Sequence, residues 1–448
     1  MKKLWIWVIS ALVILAGATY WTDRQGTVTA DGKSRTKIIL WHSMSGGPAT
    51  TLQKLIDQYN ATSKKYVVVP EYEGAYTESL PKILNVGDSN GSPAIFQAQE
   101  IATSKIVASN FTVPAQDLVD KTGYDTSQLQ PGILSYYTVN NKLQSMPFNS
   151  STPVVYYNKD LLKKYGIKNL PLNPTYDDIS AMAKAVKDKS GGKVKGMTFE
   201  AYGWLYEELM ANAGTQLADN DNGRATGKYA TKMSINTPAA KKLLTWITDN
   251  IKAGTFVDYG VGDAAETNEY SAFLSGKVAM FVQSSSSIAD FATSAKFNVG
   301  VTYVPYEAGT QRNGVAIGGA SLWMVKNKSA DVQAGAWDFI TFLENANSQA
   351  TWSLGTGYIP VNKNSTKLPV YQAALKKNPN IGVPISQLET SNKNIITAGP
   401  LVPILPIERT NVESAMEAIY NGADIDSSLK KAEDVTNTAL QAYNDVNH

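Results

Sequence analysis

Residues 37–69 constrain the fold more than any other stretch of the chain. Lys37-Ile38-Ile39-Leu40-Trp41 is a short apolar run, partly β-branched, that suits a buried strand. Gly46-Gly47-Pro48 follows. Leu52, Leu55, Ile56 and Tyr59 then fall at i, i+3, i+4 and i+7, one face of a 3.6-residue period. Residues 66–69 form a second strand pattern, which Pro70 is expected to stop. Strand, helix and strand at this spacing make a βαβ unit, and such units favour parallel sheets with helices on both faces.

Later segments keep the alternation. Thr175, with Asp178 three residues on, predicts a capping box opening a helix whose apolar face is Ile179, Met182, Ala183 and Val186. Thr237-Pro238 opens another carrying Leu243, Ile247 and Ile251, with Gly254 just past its end. Asn411 is read as opening a third, which ends at Gly422. No repeat of roughly 20 to 50 residues is visible, which argues against a solenoid or propeller. A length of 448 residues leaves room for two domains. The expected class is α/β in two lobes.

Composition removes several functions. A formal net charge of +2 lacks the basic footprint that a phosphate backbone demands, so no nucleic-acid partner is expected. The absence of cysteine excludes disulfides, thiolate metal sites and cysteine nucleophiles. With only His42 and His448, a histidine metal cluster or proton shuttle has almost nothing to be built from. Neither a metal nor a cofactor is expected.

Lys2 and Lys3 precede an apolar run over residues 4–17, which ends in Ala16-Gly17-Ala18, the pattern of a secretory leader. Counted on through Trp21, the run approaches the ~20 residues that span a bilayer, so a retained anchor is the alternative to a cleaved signal. A lipoprotein would need a cysteine near position 18, where alanine stands. Residues 1–21 are expected to be a signal peptide or N-terminal membrane anchor, and the polar residues 22–35 a flexible linker. Export to the cell surface or the extracellular space follows, or to the periplasm where the source has an outer membrane.

Several small polar groups suit an anion. Ser284, Ser285, Ser286 and Ser287 follow a strand-like run at 278–282 and precede Ile288, which can begin a helix. Gly318-Gly319 allows close backbone approach. Asn149, Ser150, Ser151 and Thr152 stand just before the strand pattern at 154–157, and the Arg409 guanidinium can grip a phosphate with two bonds. Taken singly, each has a simpler explanation: a serine run as a loop or cap, a glycine pair as a turn, an arginine as a surface residue.

Six segments in order give these residues a common setting: 41–44 (WHSM), 72–76 (YEGAY), 93–100 (PAIFQAQE), 147–160 (PFNSSTPVVYYNKD), 318–323 (GGASLW) and 356–360 (TGYIP). Together they resemble the family 1 extracellular solute-binding proteins of ABC importers, and among them the Ugp-type branch that binds glycerol-3-phosphate. The resemblance runs from about Lys37 to the C-terminus. It implies a two-lobe periplasmic-binding-protein-like α/β fold (type II), with hinge strands and a central ligand cleft. Lobe 1 would hold residues 36–151 and 322–358, and lobe 2 residues 152–321 and 359–448. The implied protein is a monomer without catalytic activity that captures glycerol-3-phosphate or a glycerophosphodiester and delivers it to permease subunits in the membrane.

The resemblance also implies a site. Tyr76 and Glu100 would bond the glycerol hydroxyls, Ser151 and Ser284 would contribute hydroxyls, and Gly319 its backbone N–H. Tyr358 matches the family's tyrosine at the ligand, and Arg409 would hold the phosphate. Some relatives carry a tryptophan three residues before the one matching Trp204; here that position is Ala201. A roomier pocket is expected from this, which raises a diester such as glycerophosphocholine. Arg409→Ala is expected to abolish binding with the melting temperature nearly unchanged. The rivals are an oligosaccharide-binding protein, which would prefer aromatic platforms, and a secreted glycosidase using Glu100 and a second carboxylate. A phosphodiesterase lacks metal ligands, and a structural adhesin leaves the seven matched positions without a role.

Overall fold

The computed structural model describes residues 27–30 and 33–447. The leader expected at 1–21 lies outside the described residues. The expected linker is in part strand: β1 (Thr27–Ala30) pairs antiparallel with the start of β2 (Lys33–His42), Thr27 opposite Thr36. Thr27, Val28 and Thr29 are β-branched, and an adjoining strand gives their backbone a ladder.

The βαβ unit forms as its pattern predicts. Strand β2 leads through the helix Gly46–Thr62 to β3 (Tyr66–Tyr72), and β2 and β3 run parallel. Pro70 does not stop β3; it lies opposite Leu40, and the strand continues to Tyr72. Strand β3 pairs with β2 alone, so it is an edge strand, where a missing N–H is tolerated.

Strands β4 (Ile95–Gln99), β5 (Thr112–Val113), β8 (Met146–Ser151) and β14 (Gly318–Val325) complete a seven-stranded sheet. A small hairpin, β6 (Thr138–Val139) with β7 (Lys142–Leu143), stands apart. The second sheet has five strands: β9 (Pro153–Asn158), β10 (Lys195–Thr198), β11 (Phe256–Val257), β12 (Val278–Ser284) and β13 (Val299–Tyr303), in the order β11-β10-β12-β9-β13. Both sheets are mixed rather than parallel: β14 runs antiparallel to β4, β5 and β8, and β9 antiparallel to β12 and β13. Parallel pairing needs a crossover connection. Here β8 passes straight into β9 through Thr152, and β13 feeds back to β14, so these strands carry the chain between sheets.

Helices cover both faces of each sheet. In β2, Ile38 and Leu40 enter one core with Leu52, Leu55 and Phe339, while Ile39 and Trp41 enter another with Phe96 and Trp323. In β9, Val155 and Tyr157 face the largest core, and Val154 and Tyr156 face Phe273, Phe281 and Phe291. The period of two distributes neighbouring side chains to opposite faces. The caps form as read. Thr175 accepts from the Asp178 N–H at 3.2 Å and the Asp178 carboxylate accepts from the Thr175 N–H at 2.8 Å, opening the helix Tyr176–Lys189. Thr237 caps Pro238–Lys252 by accepting from the Ala240 N–H at 3.1 Å.

Two further readings are corrected. Asn411 opens nothing; it lies inside the helix Leu405–Tyr420, which begins at Leu405-Pro406, proline being favoured in a first turn. Arg409 is therefore helical and buried. The lobe boundaries also shift, since β14 starts at Gly318 in the first sheet, and Ile359, Val361, Tyr371 and Ile385 pack into that sheet's core. These side chains are apolar and adjoin the helix Ala346–Thr356, so the chain completes the first core before returning to the second.

Away from the strands, Arg224 joins the two bodies. It follows Leu217 and Ala218 of the second core, yet its guanidinium donates to the carbonyls of Tyr136 (3.2 Å) and Ser135 (3.3 Å), at the end of the helix Pro131–Tyr137 beneath the first sheet. It also donates to Gly399 and Ala398, both at 2.6 Å, and lies 5.2 Å over the Tyr136 ring. A cation at a helix C-terminus offsets its orphan carbonyls.

The second body holds a strongly perturbed acid. Glu269 is fully buried, with Thr198 as its hydrogen-bond partner. Burial pushes its carboxyl up from the ordinary 4.5 to about 8, while the Thr198 bond pulls it down and Asp258 and Glu266 push it up. Between those two values the unfolded chain releases a proton that the folded chain keeps, so stability falls as pH rises through that window. Urea unfolding is expected to show wild-type stability declining from pH 5 to 8 by up to about 1.4 kcal/mol per pH unit, and Glu269→Gln to flatten that slope. An unaltered slope would refute the assignment.

Candidate ligand-binding site

The site lies where the ends of β4, β8 and β14 meet the helices Gly203–Asn212 and Leu405–Tyr420. Glu100 follows β4 directly, opening the turn Glu100–Ala102, with its side chain 1 % exposed. Its Oε1 accepts from Arg409 Nη2 at 2.8 Å, and its Oε2 accepts from the Gly319 N–H at 3.1 Å. Arg409 also grips Glu207 with two bonds, Nε to Oε1 at 2.5 Å and Nη2 to Oε2 at 2.8 Å. One guanidinium thus ties a first-sheet carboxylate to a carboxylate of the second body.

Gly319 has φ +117°, and an added Cβ would fall 1.8 Å from the Asn149 carbonyl oxygen, so only glycine fits. Its N–H, expected to face the ligand, is given to Glu100. Asn149 donates from Nδ2 to the Tyr76 hydroxyl at 3.0 Å and accepts from Gln97 Nε2 at 2.7 Å. Tyr358 lies within hydrogen-bond reach of Asn149, Ser286 and Tyr76, and its ring stacks on Trp352 with centroids 5.7 Å apart. Burial, and then each other's proximity, push the Tyr76 hydroxyl well above the ordinary tyrosine range.

Ser284 ends β12. Its Oγ accepts from the Ser286 N–H at 3.2 Å and lies 2.9 Å from Ser286 Oγ. It is the cap of the short turn Ser285–Ser287, and the helix beyond has only seven residues, Ile288–Ser294. Ser151, at the end of β8, is buried opposite Gly318. The structure therefore brings Tyr76, Glu100, Gly319, Tyr358 and Arg409 into one network, with Ser284 joined to it through Ser286 and Ser151 on the strand beside it.

Trp204 stacks against Gly318, where an added Cβ would meet its ring at 2.6 Å, and its Nε1 has no partner among the described residues. Ala201 is fully buried in the same apolar core as Trp204 and Phe199. Sequence reading missed Glu207 and Tyr202, while Ser286 was read only as one of the serine tract. Glu207 and Glu208 were detectable as two acids in a helix otherwise rich in Trp, Leu, Tyr and Met; that helix is buried along its whole length. Tyr202 feels the charges of Arg409, Glu100 and Glu200, with its ring 5.9 Å from Trp204. Among the described residues no group of three His, Cys, Asp or Glu side chains could hold a metal ion.

A family model described as bacterial extracellular solute-binding protein matches residues 54–381. The sn-glycerol-3-phosphate-binding periplasmic protein UgpB of Escherichia coli O1:K1 is 32% identical over 401 residues, covering 88% of this chain and 90% of that protein. UgpB of Yersinia pseudotuberculosis is 31% identical over 419 residues, covering 91% and 94%. Among solved structures, UgpB from Mycobacterium tuberculosis in complex with glycerophosphocholine matches with a TM-score of 0.76 at 20% identity, covering 91% of this chain and 99% of that one. The sugar-binding protein MalE from Xanthomonas citri matches with a TM-score of 0.76 at 17% identity, covering 92% and 99%. At such identities the two structures speak to the fold alone.

Arg409 is set among buried carboxyl groups. Burial pushes Glu100 upward, with Arg409 opposing, and burial holds Glu208 and Glu408 well above the carboxylate range. For Arg409 burial would lower the pKa, but Glu207 and Glu100 outweigh it and raise it well above its ordinary value. The expectation of an unchanged melting temperature in Arg409→Ala is therefore revised, because truncation strands two buried carboxylates. Arg409→Ala is expected to lose about 3–5 kcal/mol of stability, and adding Glu207→Gln to recover part of it, as read by urea denaturation. Equal stability of wild type and the single variant would show the triad to be energetically silent.

Proposed function

The chain belongs to the bacterial extracellular solute-binding proteins, and we propose that the solute it captures is glycerol-3-phosphate or a glycerophosphodiester. The family is non-catalytic and supplies the substrate-binding component of ABC importers. No helix among the described residues is long and apolar enough to cross a membrane.

One observation carries the choice of solute. Tyr76, Glu100, Ser284, Gly319, Tyr358 and Arg409 converge on one place between two sheets, in a chain whose curated relatives carry the name of a glycerol-3-phosphate-binding protein. In this reading the hydroxyls of Tyr76, Tyr358, Ser151 and Ser284 and the Arg409 guanidinium meet the phosphate and glycerol oxygens. Glu207 keeps Arg409 in place. Charge-assisted bonds in a closed cleft are the strong ones, and a micromolar dissociation constant corresponds to about −8 kcal/mol. The two bodies close as a hinge about the β8–β9 and β13–β14 crossings, and the closed monomer docks on its permease.

A second reading, an oligosaccharide ligand, draws on the aromatic rings of Tyr202, Trp204 and the stacked Trp352–Tyr358 pair. Isothermal titration calorimetry with glycerol-3-phosphate, glycerophosphocholine and maltose separates the two. Micromolar binding of a phosphate ester, with no heat from maltose, is the expected result. Maltose binding alone would move the protein to the sugar branch.

A further inference from the structure

A groove of about 720 Å³ runs between the two bodies beside the candidate site. It begins at Tyr76 and at Ile101, the residue after Glu100. Its far wall includes Thr410, next to Arg409, and Tyr443 of the last helix, Ile425–Asn447. Tyr76 is thus shared by the groove and the network. The helices Tyr76–Val86 and Thr103–Ser109 give it an apolar floor, with Leu84 and Ala108 among its residues. Among the described residues Lys105 is the one charged side chain in the lining. It is exposed, and no carboxylate pairs with it among the described residues.

A phosphodiester diverges from its phosphorus into two alcohols. A cleft that holds the phosphate and the first glycerol needs a second space for the other alcohol, and this groove opens beside the residues proposed to do the holding. We propose that the groove is the subsite for the second alcohol of a glycerophosphodiester, and that Lys105 selects an alcohol without positive charge. An uncharged polyol lays its C–H face on the apolar floor and its hydroxyls toward Lys105, whereas an ammonium meets an uncompensated like charge. The inference rests on the ligand class proposed above and narrows it, from diesters in general to those ending in a polyol.

Titration calorimetry on the full protein with glycerol-3-phosphate, glycerophosphoinositol and glycerophosphocholine tests it in wild type, Lys105→Glu and Ala108→Trp. Both substituted positions are exposed, and circular dichroism checks that the variants fold. Wild type is expected to prefer the inositol diester to the choline diester by about fivefold, the scale of one such charge contact in water. Lys105→Glu is expected to reverse that preference. Ala108→Trp is expected to weaken both diesters at least about tenfold relative to glycerol-3-phosphate, by filling their space. A diester ratio indifferent to Lys105→Glu, or equal behaviour of all three ligands in Ala108→Trp, overturns the subsite and leaves the ligand class standing. Failure of all three ligands to bind wild type overturns the ligand class, and the subsite with it.

Discussion

The bond of Arg409 to Glu100 and Glu207 organises the centre of this protein. Three side chains that almost never lie buried alone lie buried together, because each is the condition for the others. Glu100 comes from the turn just after a strand of the first sheet, and Arg409 and Glu207 from two helices over the second. The triad is thus a tether between bodies. Glu208 and Glu408 lie close by, held toward their neutral form by burial.

Close backbone approach makes this geometry reachable. Gly319 presses against the Asn149 carbonyl and Gly318 against the Trp204 ring, so β14 and β8 lie flush where the chain crosses between sheets. Gly203 does the same for the two helices that bear Glu207 and Arg409, since its added Cβ would meet Arg409 atoms at 2.7–2.8 Å. Glycine at each point places polar groups within bonding distance that a single methyl would hold apart. Arg224 closes the other flank with carbonyl bonds alone, so the bodies are joined by charge at the site and by backbone dipoles away from it.

Much of the scaffold was legible because its signals are local. The period of Leu52, Leu55, Ile56 and Tyr59, the Thr175–Asp178 box and the Thr237 cap each depend on residues a few positions apart, and each forms as read. Two misreadings have the opposite character. Pro70 stays within a strand because β3 is an edge, and Tyr371 enters the first core, and in both the deciding partner is far away in sequence. The third was local: Asn411 lies inside a helix that starts six residues upstream, at Leu405-Pro406.

The sequence by itself determined the α/β class, the alternation of elements, the exclusion of cysteine and histidine chemistry, and the residue types available to a site. Tertiary structure alone decided which of them meet. Nothing near position 409 marks its guanidinium as the partner of residues 309 and 202 positions away, and nothing near Gly319 says that its N–H goes to Glu100. Helix periods and caps are set by contacts within one or two turns, whereas an ion triad between two bodies exists only once both cores have formed and brought their edges together.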